Sequence, residues 1–81
     1  MRQALNLYDT SKDKTYKIKR ITGGRQFKSK LESMGILVNT TVTRINSEVR
    51  GGPVVIKVGN SQYALGRGMA SRIQVEKINN G

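Results

Sequence analysis

The chain has 81 residues, 36% of them hydrophobic, and sets 15 Lys and Arg against 5 Asp and Glu for a formal net charge of +10. That length holds one small domain with a thin core and no room for a deep substrate cleft. Cysteine, histidine and tryptophan are absent, which excludes disulfide staples, thiolate or imidazole metal sites, Ser-His-Asp triads and thiol nucleophiles.

Glycines and the single proline cut the sequence into pieces of strand length. Tyr16 and Ile18 alternate with Lys17 and Lys19, which predicts a strand with its basic side chains outward; Ile21 then falls out of phase. Residues 25–34 read as an amphipathic helix, because Phe27, Leu31 and Met34 recur at four and three residues while charged and polar residues fill the other faces. Gly35 stands where a left-handed residue ends such a helix. Residues 40–46 predict a further strand, but Val42 and Ile45 are three apart and share a face only across a bulge. Gly59-Asn60 between 53–58 and 61–65 has the composition of a two-residue hairpin turn. Residues 67–71 predict one helical turn presenting Met69 and Ala70 inward, and Ile73 and Val75 alternate as a last strand. Two expected bulges in short, twisted strands favour a small barrel over a flat sheet. The expected fold is mainly β: a small barrel of five to six short strands with one capping helix, one domain over 1–81, an ordered core over about 5–78 and frayed ends at 1–4 and 79–81.

The acids Asp9, Asp13, Glu32, Glu48 and Glu76 are scattered, so spacing places no pair for general acid–base catalysis and no cluster of hard-metal ligands. No apolar run approaches the ~20 residues that cross a bilayer, so the chain is expected to be soluble, unsecreted and cytoplasmic. Its main electrostatic feature is a run of Lys12, Lys14, Lys17, Lys19, Arg20, Arg25, Lys28 and Lys30 against Asp13 alone. Such a run serves either as a phosphate-contacting stripe or as a solvated surface. The solvated reading is favoured, since the aromatic residues are Tyr8, Tyr16, Phe27 and Tyr63 and Phe27 is committed to the helix stripe. Gly23-Gly24-Arg25 and Gly66-Arg67-Gly68 lack the Gly, Lys and Ser or Thr spacing of a nucleotide loop and read as turns. Met34 and Met69 read as core filling, with contact at a partner surface the alternative.

Taken in order, "YKIKRITGG", "RQFKSKLESMGILVNTTV" and "GGPVVIKVGNSQYALGRGMASRIQV" resemble the ferrous iron transport protein A (FeoA) domain, an SH3-like barrel also found at the carboxy-terminal end of iron-dependent repressors. "LESMGI" and "YALGRGMASRIQV" weigh most. Two turns depart from the family: Val38-Asn39 replaces the usual Pro-Gly, and Lys12-Asp13-Lys14 stands where a glycine is frequent. The resemblance implies a non-enzymatic, protein-binding accessory of ferrous iron transport, acting on the membrane permease ferrous iron transport protein B and its cytoplasmic G domain, at the inner face of the membrane through that partner. Iron is then the cargo of the system, and no cofactor or bound metal is expected. With no helix-turn-helix segment in its 81 residues, the chain is not expected to be a repressor of the related type. The alternative is a basic nucleic-acid-binding barrel; on the favoured reading nucleic acid binds at most weakly and without sequence preference. Charge and position make the helix and its flanking glycine turns the expected docking face, with Arg25, Lys28 and Met34 as the partner-binding residues; the side around Gly51-Gly52-Pro53 is the alternative.

Overall fold

The computed structural model describes residues 5–45 and 51–78. Its strands are β1 (Leu5–Asn6), β2 (Thr15–Ile21), β3 (Thr41–Arg44), β4 (Val54–Val58), β5 (Ser61–Leu65) and β6 (Ile73–Lys77), with helices α1 (Arg25–Ser33) and α2 (Arg67–Ala70). They form one sheet in the order β1-β6-β2-β3-β4-β5, every pair antiparallel. Among the described residues no ladder joins β5 to β1. The sheet therefore curls around the core as a half-closed barrel with β1 and β5 at its edges, in line with the mainly β expectation.

The phase break in β2 is a bulge. Ile18 pairs with Val75 and Ile21 with Ile73, and the register shifts between Ile18 and Arg20. Three steps along β2 thus match two along β6, and the extra residue lets Ile18 and Ile21 face the same way. The second expected bulge does not occur. Thr43 pairs with Lys57 and Arg44 with Ile56, and the Ile45 N–H donates to the Val55 carbonyl at 2.8 Å in unbroken register. Val42 enters the core, whereas Ile45 follows the end of β3 on the other face, half-buried. β3 is also shorter than 40–46: Thr40 serves the preceding loop, its carbonyl accepting the Ile18 N–H at 2.9 Å, and Asn46 lies outside the described residues.

The hairpin forms as expected, with Val58 opposite Ser61 and Gly59 at φ +60°. Ala70 is fully buried and Met69 packs half-buried against the core. α1 ends one residue before the expected boundary, with Met34 as its C-cap. Gly35 then takes φ +81°, its N–H donating to the Glu32 carbonyl while the Ile36 N–H donates to that of Leu31, each at 2.9 Å. These paired bonds satisfy the last helical carbonyls, and the contact they bring about is made by Leu31 and Ile36, both fully buried.

β1 and the 3-10 turn Leu7–Asp9 are additions to the sequence reading, because two- and three-residue elements have no period to detect. Their local signal is Asn6, whose side-chain oxygen accepts the Asp9 N–H at 3.1 Å. Leu7, fully buried, anchors the turn. Arg44 ties its exit to β3, donating from Nη1 to the Thr10 carbonyl at 2.8 Å and to Thr10 Oγ1 at 3.0 Å.

Candidate docking groove

The β2 bulge delivers Ile21 to the start of the β2–α1 connection. The Thr22 N–H and hydroxyl both donate to the Arg72 carbonyl, at 2.9 and 3.2 Å. Gly23 follows at φ +129°, where a Cβ would lie 2.9 Å from the Phe27 ring. Only glycine fits both the backbone angle and that close approach. The other side of the anchor is Arg72, whose guanidinium carbon lies 5.4 Å from the centre of the Phe27 ring.

At the far end of α1 the chain reverses through Gly35, buries Ile36 and leaves Leu37 and Val38 exposed at 44% and 50%. This loop is held from both sides: the Ile36 N–H is bound to the helix, and the Asn39 N–H donates to the Ile18 carbonyl at 2.7 Å. Between β2, α1 and the loop lies an open groove of about 460 Å³ lined by Ile21, Lys28, Glu32, Ile36, Leu37 and Val38. Its walls are mostly apolar, and Lys28 and Glu32, one helical turn apart, supply one charge of each sign. Such a surface can take up apolar side chains of a partner and orient them by charge. Among the described residues no three acidic side chains gather to hold a metal ion.

Of the partner-binding candidates, Lys28 lines the groove. Arg25 is exposed in the first turn of α1, three residues before Lys28 and so on the same flank. Met34 is half-buried at the C-cap, packs against the core and is not part of the lining. Leu37, Val38 and Ile21 line the groove without any motif in the sequence marking them for it. The one available signal was an apolar pair at a turn, belonging to neither the helical nor the strand pattern. The basic run is spread over several elements: Lys12 lies in the turn before β2, Lys17 stands opposite Glu76 and Thr41 within the sheet, and Lys28 and Lys30 are on α1.

The two turns that depart from the family pattern share a backbone feature. Asp13 at φ +63° and Asn39 at φ +77° are the non-glycine residues with positive φ among those described. Asn and Asp are the side chains that best tolerate this conformation, so the loops keep a glycine-like path without glycine.

Comparison with known proteins agrees with this geometry. The FeoA domain family model matches residues 5–77. A protein of Methanocaldococcus jannaschii that carries the name Fe(2+) transport protein A is 36% identical over 64 residues, covering 79% of this chain and 76% of its own. The crystal structure of an iron uptake regulatory protein (FeoA) superposes with a TM-score of 0.84 at 30% identity, over 94% of this chain and 100% of that one. The solution structure of iron(II) transport protein A from Clostridium thermocellum gives the same TM-score of 0.84 at 26% identity, over 91% of this chain and 46% of that one. A half-closed six-stranded barrel with one substantial helix, matched to the family model along nearly all of its described length, belongs to the FeoA domain family.

Proposed function

We propose that this FeoA-domain chain is a non-enzymatic accessory of ferrous iron transport that docks, through the groove beside α1, onto the cytoplasmic part of the membrane permease, ferrous iron transport protein B. Membership of the family supports the transport role. The observation that carries the docking reading is the pair Leu37 and Val38, held exposed by backbone hydrogen bonds beside an open apolar groove. A fixed apolar rim gains by being covered and loses little entropy when it is. Arg25 and Lys28 on the adjoining flank raise the encounter rate with an acidic partner surface. Iron is the cargo of the transporter in this reading, and the chain works at the inner face of the membrane because its partner is there; among the described residues no helix is long and apolar enough to cross a membrane.

Calorimetric titration of the permease's isolated cytoplasmic G domain with the chain tests the reading. Saturable binding is expected, weakened about tenfold or more by the double variant Leu37→Glu, Val38→Glu, as for loss of a buried apolar anchor. Unchanged affinity in a variant whose amide spectrum remains native places the docking face elsewhere.

A further inference from the structure

The two edges of the sheet are unlike. β1 has two residues, β5 five. Sheet edges are usually blunted by shortness, charge, proline or a bulge, because a row of unpaired amides and carbonyls recruits another strand. β5, Ser-Gln-Tyr-Ala-Leu, has no charge and no proline, and its pairing with β4 runs without a register shift.

The hydrogen-bonding phase of β5 follows from two independent observations. The two-residue turn at Gly59-Asn60 makes Val58 and Ser61 a hydrogen-bonded pair, and alternation along an antiparallel ladder then makes Val55 and Ala64 a non-bonded pair. On the other side of β4, the Val55 carbonyl accepts the Ile45 N–H at 2.8 Å, so that carbonyl points away from β5. Both place the backbone groups of Gln62 and Ala64 facing outward. Among the described residues no backbone bond beyond the β4 ladder reaches β5, and the Gln62 and Ala64 side chains are exposed.

We propose that β5 is an augmentation edge that takes an extended, acidic segment of a partner protein as an added strand. Charge selects this occupant. The described residues of 41–73 include Arg44, Lys57, Arg67 and Arg72 and no acid, and exposed Lys57 stands directly opposite Gln62, one strand in from the edge. A second copy would bring +10 against +10, a repulsion that an acidic strand turns into attraction. Main-chain bonds at Gln62 and Ala64 supply the affinity, and alternate side chains of the segment meet Lys57 on one face and half-buried Tyr63 on the other. The edge shares no residue with the groove, so this inference stands apart from the docking reading.

The test is an amide-exchange titration of the full chain with an end-blocked peptide alternating glutamate and valine. Saturable binding is expected, with exchange of the Gln62 and Ala64 amides slowed about tenfold or more and those of Ser61, Tyr63 and Leu65, already in the ladder, little changed. Ala64→Pro removes an outward N–H without taking a bond from the β4 ladder, and is expected to weaken binding about tenfold; the wild-type exchange pattern decides the matter even if that variant fails to fold. No binding overturns the proposal, as does equal binding of a lysine–valine peptide. Protection at Leu37 and Val38 in place of β5 overturns it while leaving the groove reading standing. Protection of Gln62 and Ala64 that rises with protein concentration without peptide also overturns it, naming a second copy as the occupant.

Discussion

Ile18 and Leu37 are both aliphatic, and their backbones lie close together, since the Asn39 N–H next to the Leu37-Val38 pair donates to the Ile18 carbonyl. Ile18 is fully buried and Leu37 is 44% exposed. The strand buries its apolar side chains because ladder register leaves them no other face. The loop has no ladder of its own: its direction is set by Gly35 and Asn39, both at positive φ, and that direction turns two apolar side chains outward. Apolar side chains are thus buried where β2 meets β6 and left exposed where the backbone is held by turns.

The sharpest way to break this contrast is to truncate one side chain on each side. Ile18→Ala is expected to cost about 2–5 kcal/mol in chemical denaturation, as for a fully buried aliphatic residue, while Leu37→Ala stays within about 0.5 kcal/mol of the native protein. Equal losses would mean that the loop belongs to the core. Next in size is Gly23→Ala, with an expected cost of about 1–3 kcal/mol from left-handed strain and displacement of the Phe27 ring; a thermal melt unchanged by this substitution would show that the start of α1 is not held as described.

Much of the buried half was legible in the sequence. The helix stripe, the Gly35 stop, the hairpin around Gly59-Asn60 and the Ile73–Val75 alternation are local patterns, and each appears where its period or turn chemistry put it. The β2 bulge could be read because its partner residues are strongly apolar. The same argument failed at Val42 and Ile45, since a half-buried residue beyond a strand end breaks the phase as well as a bulge does. The groove was legible only in part. Lys28 stood out by charge, but a cavity is a relation between Ile21, α1 and residues 36–38, and no spacing along the chain expresses it. Met34, which the stripe places three residues after Leu31, packs half-buried against the core, in line with its reading as core filling.

Smaller effects sharpen the account of the loop. Asn39→Ala is expected to cost about 1–2 kcal/mol, the penalty of a left-handed residue without a compensating side chain, whereas Asn39→Gly is expected to be neutral or stabilising; denaturation midpoints of the two variants measure the difference. Smallest in stability is the charge reversal Arg25→Glu with Lys28→Glu, expected to fall within about 0.5 kcal/mol. Its effect belongs to association: slower binding of the permease's G domain and a flatter dependence on salt in stopped-flow measurements.

The most direct measurement of the central claim is an amide chemical-shift map of the chain during titration with that G domain. The account predicts shifts gathered at Ile21, Lys28, Glu32 and residues 36–38, with the β2–β6 amides Ile18 and Val75 unmoved. Saturable binding whose shifts gather outside the groove, with Leu37 and Val38 unmoved, would contradict it.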